Sequence, residues 1–190
     1  LALNCLGVAN SIASDVSQAQ EQFERALTIA EKIAAPRVLA VTKLNLGYLY
    51  SNLGNMELAL SAYKAALEIW QSINEQQERA ATLTAMATLY NQRGEKQIAF
   101  DLHAQALKIF RTIGHRNGEA ATLNGIGYLY DTLGDRSQSL KCFTRAFELY
   151  SAIENHHYAA VTSGYIGRVR LALGDSAGAL ESFNRKQAMS

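Results

Sequence analysis

The sequence predicts an all-α fold, a right-handed superhelical solenoid of antiparallel helical hairpins, and three observations carry that prediction. The first is register: rows of forty residues place Gly54 over Gly94, Gly134 and Gly174, with Ser14 in the same column. The second is periodicity, because Leu46, Leu49, Tyr50 and Leu53 recur at the spacing that lines one face of a helix. The third is composition. Pro36 is the one proline, where a chain of this length would hold roughly nine at about 5% usage, and such scarcity favours long helices over turn-rich sheet.

Within a row, the stripe from Leu46 to Leu53 defines a first helix, A. Gly54 suits the left-handed residue that ends it, and Asn55, Glu95, Asp135 and Asp175 follow with acceptors for the free N–H groups of a second helix. Ala59, Leu60, Tyr63, Ala66, Leu67 and Trp70 give that second helix, B, an apolar face over about four to five turns. Small residues at Gly47 and Ala59 allow A and B to approach closely, and Tyr50 and Tyr63 fill the space between neighbouring hairpins. One hairpin cannot bury both of its faces, so successive hairpins stack into a continuous core. The units are 1–40, 41–80, 81–120, 121–160 and an incomplete 161–190, together one array. The first begins at Leu1, inside a repeat and with no initiator methionine, which reads as a piece of a longer chain.

Charge and cysteine content narrow the function. Eighteen basic against seventeen acidic residues give a net charge of +1, without the basic face that nucleic acid requires. No apolar run reaches the roughly 18 to 20 residues that span a bilayer. Cys5 and Cys142 stand far apart and fit a reducing, cytoplasmic setting, each as a small packed residue. His103 falls in the aromatic column of Phe23, Tyr63, Phe143 and Phe183 and is expected in the core, while His115, His156 and His157 fall between units with no ligand set around them. Neither a metal nor a cofactor is expected. No nucleophile, base and orienting group converge, so the chain reads as non-catalytic. Thr42, Thr82, Thr122 and Thr162 recur near the start of every A helix, which fits packing or a bond to the backbone better than a phosphorylation site.

Leu46-Gly47-x-x-Tyr50, followed by Ala59, Tyr63 and Ala66, resembles the tetratricopeptide repeat over nearly the whole chain. The period is forty here instead of the family's thirty-four, and the family's terminal proline is absent near Gln71, Thr112 and Ser151. In these respects the chain resembles the long repeats of kinesin light chains and polarity adaptors. Thr122 through Asp135 is most similar to the repeats of bacterial signalling proteins. The resemblance implies a concave groove lined by A helices that binds a peptide or protein partner.

In that register the groove column holds Tyr48, Thr88, Tyr128 and Arg168, preceded in the first row by Val8. Asn52, Asn91, Gln92 and Asp131 follow one turn later, and Asn45, Asn124 and Tyr165 one turn earlier. Amides of this kind hold an extended backbone and tyrosine rings pack its side chains. The Asn, Lys and Arg clamp with which some family members grip a terminal carboxylate is missing, its places taken by Asn4, Val8, Asn45, Ala81 and Ala85. A scaffold or sensor segment that binds a peptide or protein is therefore the leading expectation. A sensor of a short signalling peptide is an alternative. Homo-oligomerisation through exposed array ends is another, since Lys186 and Gln187 replace the expected Ala and Leu after Phe183.

Overall fold

The computed structural model describes residues 16–189. These residues are all-α: nine helices and no strand among them. They are α1 (Val16–Lys32), α2 (Pro36–Asn52), α3 (Met56–Ser72), α4 (Gln76–Gln92), α5 (Lys96–Thr112), α6 (Arg116–Thr132), α7 (Arg136–Ala152), α8 (His156–Ala172) and α9 (Ser176–Met189). The A helices of the sequence analysis are α2, α4, α6 and α8, and each is followed by a B helix. The positions of Cys5, Gly7, Val8, Asn10 and Ser14, and of the first A helix, lie outside the described residues.

All helices from α1 to α8 have 17 residues, and three residues join each to the next. One turn chemistry serves every connector. At Gly54, φ is +75°; its N–H reaches the Ser51 carbonyl at 3.0 Å and the Asn55 N–H reaches the Tyr50 carbonyl at 2.9 Å, the double bond that closes a helix on a left-handed residue. Gly94, Gly134 and Gly174 repeat it, as the glycine column predicts. The connectors from B to the next A helix use the same closure with Ala34, Asn74, Gly114 and Glu154 at positive φ, and there only one of the four is glycine.

The capping expectation holds for two positions of four. Asp135 Oδ1 accepts from the Gln138 N–H at 3.1 Å and Asp175 Oδ1 from the Gly178 N–H at 2.9 Å. Glu95, with a longer side chain, instead pairs with Arg93 Nε at 2.8 Å, and Asn55 makes no side-chain cap. Two A helices carry caps that the pattern did not announce: His115 Nδ1 accepts from the Gly118 N–H and Asn155 Oδ1 from the Tyr158 N–H. His156 and His157 are not between units but open α8, both exposed.

The described chain falls into two compact units that meet in sequence between Leu89 and Tyr90, within α4. In the first, α1 packs on α2 and α2 on α3. Ala19 and Phe23 meet Leu46 and Leu49, and Ala40 meets Ala66 and Trp70. In the second, each helix from α5 to α9 packs on the next. There Phe143 meets Ile166 and Val169, while Ala120 and Leu123 meet Ala146, Leu149 and Tyr150. The small column is needed because aromatic rings lie directly on it: a Cβ on Gly47 would stand 2.3 Å from Tyr63 Cε1, and one on Gly167 2.6 Å from Phe183 Cε1. Ala66 is fully buried in the same packing. Replacing it by leucine is expected to overpack α3 against α2 and to lower stability by about 1–3 kcal/mol; an unchanged urea midpoint would mean that Ala66 has room its burial denies.

The threonine column acts on the backbone. Thr42, Thr82 and Thr122 are fully buried, and each Oγ1 donates to the carbonyl four residues earlier at 2.8 Å, on Val38, Glu78 and Gly118 respectively. His103 is in the core as expected, 1% exposed. Cys142 is half-buried on α7, where burial raises its thiol above the usual range.

Candidate functional site

Each A helix presents one exposed side chain between two buried neighbours at the same register. Tyr48 stands between Gly47 and Leu49, Thr88 between Ala87 and Leu89, Tyr128 between Gly127 and Leu129, and Arg168 between Gly167 and Val169. Gly47, Gly127 and Gly167 are the small residues on which B-helix rings settle, so the next residue is turned away from the hairpin. The groove column of the sequence is thus an open column in each unit.

In the first unit, Asn45, Tyr48 and Asn52 share one face of α2, with Asn45 half-buried and the other two exposed. Tyr48 leaves 45% of its surface open and meets the buried Tyr63 ring edge-on, with centroids 5.5 Å apart, which holds its phenol outward on a fixed base. Thr88 on α4 is exposed, and its hydroxyl donates to the Thr84 carbonyl at 3.1 Å. The α2 and α4 starts are tied by Arg37, which pairs with Glu75 and, at 3.5 Å, with Glu78.

In the second unit, Asn124, Tyr128 and Asp131 share one face of α6, while Tyr165 and Arg168 stand on α8. Tyr128 is 48% exposed, and Asn124 and Asp131 are half-buried. Asn124 Nδ2 donates to Thr162 Oγ1 on α8 at 2.8 Å, a bond that fixes the spacing of the two A helices. Its Oδ1 is buried without a partner. Tyr165 lies against Phe143 at 5.2 Å, and the Arg168 guanidinium covers the Tyr165 ring at 5.0 Å, so cation and ring form one platform. Structure therefore brings Asn124, Tyr128, Tyr165 and Arg168 onto two tied helices.

Asn91 behaves differently from its neighbour Gln92. Gln92 is exposed at the end of α4, whereas Asn91 is buried and its Oδ1 accepts from Lys96 Nζ. The sequence placed both on the groove face; the lysine five residues further on, at the start of α5, draws the asparagine inward and occupies its acceptor. Sequence reasoning also passed over the Asn124–Thr162 bond, although the forty-residue columns put the two residues within two positions of each other on successive A helices.

No described helix is long and apolar enough to cross a membrane, and no three potential metal ligands gather among the described residues.

Comparison with known proteins places this geometry. The model of the tetratricopeptide repeat matches residues 38–112, 78–152 and 118–185. No curated protein matches the chain. Among solved structures, BtubC from P. vanneervenii is 21% identical with a TM-score of 0.84 over 98% of this chain and 78% of its own. A putative kinesin light chain from Podospora anserina with nearly identical repeats is 16% identical, TM-score 0.74, over 99% of this chain and 93% of its own. A Rap protein complexed with competence and sporulation factor is 15% identical, TM-score 0.87, over 98% of this chain and 52% of its own. At these identities the likeness is one of fold.

Proposed function

The chain belongs to the tetratricopeptide repeat family, and from that premise we propose that it is a non-catalytic interaction module that holds a peptide or protein partner along the exposed faces of its A helices. The observation that carries the reading is the open column of Tyr48, Thr88, Tyr128 and Arg168, each exposed between buried neighbours. Within each unit, a side chain kept open at this register between buried neighbours gives a peptide a fixed surface to pack against. The amides of Asn45, Asn52 and Gln92 and the carboxylate of Asp131 lie off that column and would add bonds to a backbone. The Rap protein of like fold, complexed with competence and sporulation factor, is consistent with a groove that takes such a partner.

Panning a random peptide library tests this, with the Tyr48→Ala/Tyr128→Ala double variant as counter-screen. The double variant should bind an enriched peptide at least about tenfold more weakly, since exposed aromatic residues anchor interfaces. Its helicity and melting should stay close to wild type, because the Tyr48–Tyr63 contact is worth only about 0.5–1.5 kcal/mol. Enriched peptides that bind both proteins equally would place the contact elsewhere and sink the groove reading.

A second reading, self-association, rests on the last described hairpin. Leu180 on α9 is 62% exposed, whereas Leu60 at the same register of α3 is 4% exposed, and Leu171 and Phe183 are exposed near it in sequence. Light scattering over a range of concentrations distinguishes the two: a mass that grows with concentration, and no longer grows in a Leu180→Glu variant, favours self-association over the groove.

A further inference from the structure

The joint between α5 and α6 is built unlike the matching joints of its neighbours. Where α2 has Val38, α4 Glu78 and α8 Tyr158, α6 has Gly118; where α2 has Asn45, α4 Ala85 and α8 Tyr165, α6 has Gly125. Both glycines receive side chains of the α5 hairpin edge. A Cβ on Gly118 would stand 2.4 Å from Phe110 Cε1, and one on Gly125 2.5 Å from His103 Cε1. The α6 backbone is pressed directly onto a phenylalanine and a histidine.

Two imidazoles are therefore built into this joint, and its geometry requires both to be neutral. His115, the residue before α6, accepts the Gly118 N–H at Nδ1 over 3.0 Å and stacks on Phe110 at 5.4 Å. A ring nitrogen that accepts carries no proton, and protonation would convert this cap into two N–H groups facing each other. His103 is 1% exposed, and its Nδ1 has no hydrogen-bond partner. No charge stands ready to stabilise an imidazolium there: burial alone lowers its pKa to about 4, with no charged neighbour contributing. Around the joint, Arg111 on α5 and Glu119 on α6 are already paired at 2.8 Å, Arg116 is exposed, and on the α8 side Asn117 meets the uncharged Asn155 at 3.0 Å.

We propose that the α5–α6 joint is an acid-responsive element, closed while His103 is neutral and opened when a proton binds it. The sign follows from linkage. The open joint returns His103 to the ordinary value of 6.5, so below that pH the open form binds more protons than the closed one. Stability of the closed joint is complete above pH 6.5 and is lost as pH falls toward 4.

Hydrogen exchange of the whole chain, corrected for the intrinsic effect of pH, reads this directly. Between pH 7 and pH 5 the opening equilibrium of α5 and α6 amides should rise about 20-fold from His103 alone, while α8 and α9 amides change far less. His103→Phe and His115→Asn adopt residues that the repeat already uses at those positions, Phe143 and Asn155, and the double variant should lose the local pH response. If that variant fails to fold, His103→Phe alone decides, since it removes the imidazole that the joint buries. Amides of α5 and α6 that track those of α8 and α9 across the range, or variants that keep the full acid response, would overturn the proposal.

Discussion

Trp70→Ala is expected to destabilise the protein by about 3–5 kcal/mol, the range for truncating a fully buried large aromatic. Trp70 is 0% exposed, on α3, against Ala40 and Ala66, with Val41 and Leu44 of α2, Ile69 of its own helix and Ile73 just past that helix's end at its rim. Its Nε1 is buried with no partner, so alanine removes packing and no hydrogen bond. Trp70→Phe should accordingly recover most of the loss, because Phe110 fills the same register of α5 while only 4% exposed. Alanine does occur at this register: the first described row has Ala30 there, beside an open surface cleft lined by Ala34, Ala35, Pro36 and Leu39. Urea denaturation followed by circular dichroism is the measurement, since Trp70 is the one tryptophan and the variant has no indole fluorescence. A loss below about 1 kcal/mol would mean that the surrounding helices collapse onto the gap, which the rigid stacking of hairpins argues against.

How far the molecule could be read from its sequence depends on whether the deciding contact lies inside one column or between columns. Gly54, Gly94, Gly134 and Gly174 announced their turns because a left-handed residue selects glycine wherever nothing else stabilises it. The intervening turns at Ala34, Asn74 and Glu154 have the same backbone and no glycine, so no residue type signalled them. Tyr48 and Tyr128 were legible as open positions because the small residue before each fixes which way the helix faces. Asn91 was not, because its burial comes from Lys96, a residue that occurs at that register in one row alone, where Val16, Met56, Arg136 and Ser176 stand in the others. The Asp135 and Asp175 caps and the missing caps at Asn55 and Glu95 share one sequence pattern, and side-chain length separates only the glutamate from the rest. A histidine as helix cap, at His115, has no pattern of its own: the ring must be both neutral and turned toward the Gly118 N–H, and only the stacked Phe110 fixes that turn.

Gly47→Leu should be among the most disruptive single changes in the first unit, costing at least about 3 kcal/mol. Two effects oppose each other at this position. Glycine inside a helix is less favourable than other residues by about 1 kcal/mol, so any side chain gains that much from propensity. Against it, the first added carbon would lie 2.3 Å from Tyr63 Cε1 and 2.4 Å from Cδ1, far inside van der Waals contact. The ring cannot retreat, because Tyr63 is 1% exposed and Tyr48 stands edge-on against it. Overpacking of about 1–3 kcal/mol for an inserted methyl therefore exceeds the propensity gain, and each further carbon of leucine deepens the clash. Gly47→Ala should fall between wild type and Gly47→Leu, and Gly127→Ala should cost less than Gly47→Ala, since Phe143 Cδ1 is 2.9 Å from the corresponding Cβ. The cause is isolated by a double-mutant cycle: Tyr63→Leu, which removes the ring from the contact, should be less damaging in the Gly47→Ala background than in wild type, with a coupling of about 1 kcal/mol or more. Additive losses in urea denaturation would mean that Gly47 is required for some reason other than the ring that rests on it, and would remove the physical basis for the outward turn of Tyr48 one residue later.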